Sequence, residues 1–148
     1  MLIMDVLRHK GDFVATLPPS ATVDQLLGAL AAQNIGAVVV CDDDNGGRGR
    51  VVGIVSERDV VRALHDRGAG LLATPIAEIM TREVRVVAPD ELVESLMRVM
   101  TEARIRHVPV LTDDHLVGIV SIGDVVKSRV EQLESERESL IGYVSSGG

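Results

Sequence analysis

Aromatic side chains and cysteine are almost missing from this sequence: its 148 residues hold one Phe, one Tyr, no Trp and one Cys. A single cysteine cannot form an internal disulfide or a multi-cysteine metal site, and Cys41, inside the apolar run "AVVVC", reads as a small buried hydrophobe. The histidines, at positions 9, 65, 107 and 115, never fall at a metal-ligand spacing such as His-x-x-x-His, so no metal site is expected. Without aromatics there is no base-stacking platform for single-stranded nucleic acid. Positive charge is short as well: 15 Lys and Arg stand against 22 Asp and Glu, a net −7 that disfavours a sequence-independent hold on nucleic acid or on an anionic membrane. The longest apolar runs fall far below the ~20 residues of a membrane span. The N-terminal "MLIMDVLRHKGD" breaks its apolar patch with Asp5 and carries its basic residues after the patch, unlike a signal peptide. The cytoplasm is therefore the expected location.

Aliphatic residues are what the chain has in quantity. Hydrophobic residues make up 46% of the sequence, and Val and Ile in short blocks favour largely buried strands. The chain also repeats itself. Residues 14–44 align over 84–114 with the hydrophobic pattern coinciding throughout, and residues 51–64 align with 116–129, where eight of the fourteen positions are identical. This is an internal duplication. Each copy reads as a strand (13–17 or 84–88), an amphipathic helix, a buried strand ("GAVVVC" or "HVPVL"), a turn, a second strand ("VVGIV" or "LVGIV") and a second helix. In the first helix Val23, Leu26, Leu27, Leu30 and Ala31 follow helical spacing, as do Val93, Leu96, Met97 and Met100 in the other copy.

The predicted class is thus α/β (α+β), with two tandem strand-helix-strand-strand-helix units at residues 1–70 and 71–130 and a helical extension at 131–148. One unit of this size leaves a sheet face bare, and stacking two about a pseudo-twofold axis covers both. The segments "MDVL" at Met4–Leu7 and "TPIAEIM" at Thr74–Met80 mark the starts of the copies, the latter read as a short helix capped by Thr74 with Pro75 in its first turn.

The most conspicuous identity is "GIVSERDVV" at Gly53–Val61 against "GIVSIGDVV" at Gly118–Val126. Ser three residues before Asp at a strand-to-helix junction is a helix cap close to a capping box. The same geometry is also a ligand site, since a helix N-terminus receives phosphate or hydroxyl groups and a carboxylate one turn in accepts a ribose diol. Gly53 and Gly118 leave room for close backbone approach, which favours the second reading. Arg106 and His107 stand where the second copy's buried strand begins, and Pro109 within it predicts an edge or bulge with free carbonyls. The first copy has Gly36, Ala37 and Val39 there, so the two sites are unequal. "GGRGRVVG" at Gly46–Gly53 precedes a strand and not a helix, so it is read as a hairpin loop and not as a phosphate loop. Neither Ser56 nor Ser121 lies in a Gly-x-Ser-x-Gly elbow, and no catalytic residue is assigned.

The C-terminal "VVKSRVEQLESERESLIGYV" carries Val126, Val130, Leu133, Leu140 and Val144, with Arg137 at the skipped core position. Such a stripe fits a partner helix, a second copy of the protein, or a helix lying back on its own core.

The doubled "GIVS-x-x-D" within this repeated unit resembles the CBS domain family, and the pair resembles the regulatory Bateman module of stand-alone bacterial proteins. The resemblance implies a non-enzymatic module that senses an adenine nucleotide in clefts between paired repeats and signals by conformational shift. AMP is the first choice of ligand, with ADP, ATP or NAD as alternatives, and no catalytic cofactor is implied. It also implies that Asp59 and Asp124 hold ribose, that Ser56 and Ser121 contact ribose or phosphate, and that Arg106 and His107 contact phosphate. The backbone of the strand holding Val108 and Pro109 and the first strand of the repeat would frame the base, with Lys10 and Arg58 as further phosphate contacts from the first copy. Gly36 and Ala37 stand in the first copy's site where the second has its basic pair. The expected partners are the nucleotide, a second copy of the chain in a homodimer, and an unidentified downstream protein. The alternative is a ligand-independent dimerisation or scaffold module in which the Ser–Asp pairs are only caps.

Overall fold

The structure, a computed structural model, describes residues 1–11, 13–42 and 49–147. Five helices and five strands alternate along it. Helix α1 (Ile3–Lys10) precedes β1 (Thr16–Leu17), α2 (Val23–Gln33), β2 (Ala37–Cys41), β3 (Val51–Ser56) and α3 (Glu57–Arg67). After two 3-10 turns come α4 (Val93–Ala103), β4 (His107–Thr112), β5 (His115–Ser121) and α5 (Ile122–Ser146). The first sheet has the order β1-β2-β3, with β1 parallel and β3 antiparallel to β2; the second is the antiparallel pair β4-β5. The hairpin loop expected at "GGRGR" falls largely outside the described residues.

The first strand of each copy is shorter than the sequence predicts. Strand β1 keeps two residues, and in the second copy only Val87 remains, as an isolated parallel bridge to Val110. Proline explains the difference between the copies. Val39 donates its N–H to the Ala15 carbonyl at 3.1 Å, whereas Pro109, at the equivalent place, has no N–H to give to Arg85. Pro109's own carbonyl is not free, since it accepts the Val87 N–H at 3.1 Å, and the register shift of β4 lies one residue on, between Val110 and Leu111. Proline thus releases a carbonyl on the adjoining segment, not on its own strand.

Each unit has its own aliphatic core, and each core borrows the leading segment of the other copy. Ile3 and Val6 of α1 are buried among Val93, Leu96, Val108 and Val120 of the second unit. Leu71, Ile76 and Met80 are buried among Val23, Leu26, Val38 and Val55 of the first. Backbone bonds repeat the exchange: Ile3 N–H donates to Glu91 O at 3.0 Å and Val93 N–H to Met1 O at 3.0 Å, while Ile76 N–H donates to Ala21 O at 2.7 Å and Val23 N–H to Thr74 O at 2.9 Å. The leading segments therefore start each copy in sequence but cover the other copy in space. The second is a 3-10 turn at Ile76–Glu78 with Pro75 at its N-cap, so Thr74 does not cap it; its hydroxyl donates to the Gly70 carbonyl instead.

The two sheets meet through Val39, Cys41, Leu116 and Ile119, which is why the whole run Ala37–Cys41 is buried. Alternate residues of β2 serve two cores, Val38 and Val40 on the helix side and Val39 and Cys41 between the sheets. Burial, and then the Asp42 carboxylate, push the Cys41 thiol up from its ordinary value, as befits an inert packed side chain.

The repeated glycines serve this exchange and not a ligand. A methyl group on Gly53 would lie 2.5 Å from Met80 Sδ and 3.1 Å from the Thr81 carbonyl, and one on Gly118 would lie 2.9 Å from a Leu7 methyl. Gly28, exposed in α2, has nothing within 4 Å. Gly53→Ala is therefore expected to cost about 1–3 kcal/mol by overpacking. Gly28→Ala is expected to add about 0.5–1 kcal/mol by removing backbone entropy from a helix interior. Denaturant midpoints of the two variants against wild type check both signs.

Candidate functional site

Where β3 ends and α3 begins, Ser56 takes up the extended backbone of an N-cap at φ −118° and ψ 168°. Its N–H donates to Asp59 Oδ2 at 2.9 Å and its hydroxyl to the same oxygen at 3.1 Å; the Asp59 N–H returns a bond to Ser56 Oγ at 3.4 Å. The second copy builds the same reciprocal cap: Ser121 N–H donates to Asp124 Oδ2 at 2.8 Å and Asp124 N–H to Ser121 Oγ at 3.1 Å. The capping role expected of both pairs is thus present. Each carboxylate uses only Oδ2 in these bonds, and Oδ1 accepts nothing from the described residues.

The two carboxylates differ in their surroundings. Lys10, at the end of α1, reaches across the fold to Asp124 Oδ2 at 2.6 Å and also donates to the Ile119 carbonyl at 2.7 Å. Burial would push the Asp124 carboxyl up, but the bonds from Lys10 and from Ser121 outweigh it and hold the carboxyl below its ordinary range. No ion pair joins Asp59 to a cation among the described residues.

Asp59 instead opens onto a cleft of about 660 Å³ between the two units, a volume in the range of small-molecule sites. Ser56, Arg58, Asp59 and Arg62 line it from the first unit, with Gly36 and Ala37 at the start of β2. Arg85, Arg104, Arg106, His107 and Ser121 line it from the second, with Thr81 and Glu83 on the segment between. Five arginines converge there against three carboxylates, those of Glu57, Asp59 and Glu83. That is one third of the chain's 15 Lys and Arg, gathered at one place on a protein of net charge −7. Such a cleft attracts anions that the rest of the surface repels.

Local chemistry sets each of these groups. Arg104 closes α4 with φ +55°, a left-handed conformation that costs a non-glycine residue energy; Asn34, which tolerates it better, closes α2 at φ +52°. The Arg58 guanidinium donates to the Arg104 carbonyl at 3.3 Å, joining the units across the cleft. The His107 ring sits against Gly36, where a methyl group would lie 3.2 Å from Cε1. The first copy's Gly36 therefore has a steric role, since it leaves the space that the His107 ring occupies. Burial, then the positive fields of Arg106 and Lys10, lower the His107 pKa against the opposing pull of Asp124 and Glu57, so the imidazole is neutral near pH 7.

Of the residues the sequence singles out, Ser56, Arg58, Asp59, Gly36, Ala37, Arg106, His107 and Ser121 meet in this cleft. Lys10 and Asp124 pair with each other and do not line it. Val108 and Pro109 are buried in β4 and do not line it either. Sequence reasoning missed Arg62, Arg85 and Arg104. Arg62 was findable, being one helical turn beyond Asp59 and Arg58; Arg85 and Arg104 belong to the other repeat, and only the tertiary fold brings them over. Among the described residues no helix is long and apolar enough to cross a membrane, and no group of His, Cys, Asp and Glu could hold a metal.

Known proteins share this architecture. The CBS domain signature matches residues 5–66 and again 76–131. A CBS-domain containing protein of Agrobacterium tumefaciens is 41% identical and superposes with a TM-score of 0.81 over 87% of this chain and 99% of its own. A CBS domain protein of Pyrobaculum aerophilum, solved in complex with AMP, is 30% identical with a TM-score of 0.77 over 90% of this chain and 97% of its own. The CBS domain pair of protein MJ0100, in complex with 5′-methylthioadenosine and S-adenosyl-L-methionine, is 27% identical with a TM-score of 0.76 over 89% of this chain and 98% of its own.

The Lys10–Asp124 pair makes stability depend on pH with a definite sign. A carboxyl whose folded pKa is depressed stabilises fully above its unfolded value, near 4, and loses that contribution as the pH falls through the folded pKa. Lys10→Met is expected to cost about 1 kcal/mol at pH 7, discounted for the quarter exposure of both side chains. The gap from wild type should close as the pH drops below 4, which denaturant melts at pH 7, 5 and 3 would measure.

Proposed function

The chain belongs to the CBS domain family, and from that premise we propose that it is a non-enzymatic regulatory module that senses an adenine nucleotide in the cleft between its two repeats. AMP is the preferred ligand, with ADP, ATP or NAD as alternatives. The observation that carries this reading is the gathering of five arginines in the cleft that Asp59 lines at the N-terminus of α3. A carboxylate at that place accepts the two hydroxyls of a ribose, and the arginines neutralise a phosphate. Arg58 and Arg62 come from one repeat and Arg85, Arg104 and Arg106 from the other, so a bound nucleotide bridges both. His107 and Ser121 complete the phosphate side, with Gly36 and Ala37 on the wall beside the His107 ring. Val108 and Pro109 act from behind, holding the strand that carries Arg106 and His107.

The second half forms the weaker site in this reading. A ribose at Ser121 and Asp124 has to displace Lys10, whose ammonium already satisfies the carboxylate. Signalling follows from the bridging: a ligand that contacts both repeats favours one relative arrangement of them, and a downstream protein in the cytoplasm reads it. A second copy of the chain completes the working unit as a homodimer. The reciprocal Ser–Asp caps favour the competing reading, a scaffold that needs no ligand, because the caps explain the repeated motif by themselves.

Thermal unfolding with AMP, ADP, ATP, NAD and S-adenosylmethionine separates the two readings. At about 100 times its dissociation constant a ligand adds ~2.7 kcal/mol, a rise of roughly 5–10 °C for a chain of this length. One of the nucleotides is expected to give that rise in wild type and little of it in Asp59→Ala or Arg85→Ala. No shift with any of them at millimolar concentration leaves the scaffold. Arg104→Gly is expected to split stability from function: relief of the positive φ raises the unliganded stability by about 1 kcal/mol, while the loss of a cleft cation reduces the nucleotide-induced shift.

A further inference from the structure

Helix α5 runs 25 residues, about 37 Å, and outlasts the domain it belongs to. Val125 and Ser128 are buried and Arg129 pairs with Glu94 of α4 at 3.4 Å, but beyond Gln132 every described residue of the helix is exposed. A helical stretch of that length without packing is marginal in water, so this one calls for a partner. Its sequence says which. Val126, Val130, Leu133, Arg137, Leu140 and Val144 step by 4, 3, 4, 3 and 4 residues, an unbroken heptad seam of d, a, d, a, d, a. The five apolar members are between 46% and 71% exposed. The remaining exposed apolar residues of the helix, Ile141 and Tyr143, fall at the flanking e and g positions, and from Val126 onward the b and f positions hold only Glu, Ser and Gly. The seam lies on the side of the helix away from Val125 and Ser128, so the domain's own core cannot cover it.

We infer that α5 pairs with α5 of a second copy as a parallel two-stranded coiled coil, which holds the two domains side by side at one end. This rests on the homodimer in the functional reading and adds its surface and direction. Charge selects the direction. In the parallel arrangement Arg129, at g, faces Glu134, at e, of the second copy, and the two Arg137 side chains, which meet across the seam at a, are each offset by Glu136, at g, of the other copy. The antiparallel arrangement that aligns the same seam sets Glu134 against Glu134 and Glu136 against Glu136. A single charged a position in an otherwise apolar seam also disfavours larger bundles, which would bury it more fully.

Disulfide trapping in the full chain tests this, with wild type as control because its one cysteine, Cys41, is buried. Val144→Cys should oxidise almost completely to a covalent dimer under mild oxidant, and Ser135→Cys, at the f position, should not. Sedimentation of the reduced variants measures assembly independently, with a dimer expected and Leu133→Asp shifting it to monomer by at least tenfold in dissociation constant. A reduced protein that sediments as a monomer overturns both the coiled coil and the homodimer. A reduced dimer in which Val144→Cys alone fails to trap, while a mixture of the Val126→Cys and Val144→Cys chains does trap, overturns the parallel coiled coil and leaves the homodimer standing. Nucleotide-induced thermal shifts are read separately on the same samples.

Discussion

Everything in this molecule depends on the reciprocal fit of two side chains into two missing ones. Leu7 occupies the place a side chain would take at Gly118, and Met80 the place of one at Gly53. Through these contacts the leading segment of each copy completes the other copy's core, and Val39, Cys41, Leu116 and Ile119 then bring the sheets together. Neither unit of about 60 residues closes its aliphatic core without the segment supplied from the other half of the sequence. The exchange also fixes the relative position of α3, β4 and the segment from Thr81 to Arg85, the three walls of the arginine-lined cleft.

Duplication supplies the walls, and divergence between the copies makes the two halves of the cleft unequal. A side chain at position 36 would press on the His107 ring, 3.2 Å from Cε1, and Gly36 lets that ring in. Symmetric prolines would strip both first strands; with one, β1 survives and only the Arg85 side gives up its bond. One acidic cap is satisfied by Lys10, while the other shares its cleft with five arginines and forms no ion pair among the described residues. The same fold thus presents one braced carboxylate and one open one.

The repeats, the four long helices of the two units and the central strands were legible in the sequence because each obeys a local period, helical in α2 and α4 and blockwise apolar in β2 to β5. The caps at Ser56 and Ser121 were legible for the same reason, since a cap is a contact within one turn. The glycines of "GIVS" mislead when taken as room for a ligand, because a missing side chain says only that something comes close and not what. The Lys10–Asp124 pair spans 114 residues and Arg85 and Arg104 reach the cleft from the opposite repeat, so no period or spacing could have announced them. The heptad seam of α5 is legible because a coiled coil writes its partner's position into a period.

The central claim, that one cleft shared by both repeats holds the nucleotide, is tested most directly by hydrogen–deuterium exchange with and without AMP or ATP. The account predicts slowed exchange in three separate segments at once, residues 56–62, 81–85 and 103–107, with little change around Asp124. Unchanged exchange in those segments at saturating nucleotide, or protection confined to residues 121–125, would contradict it.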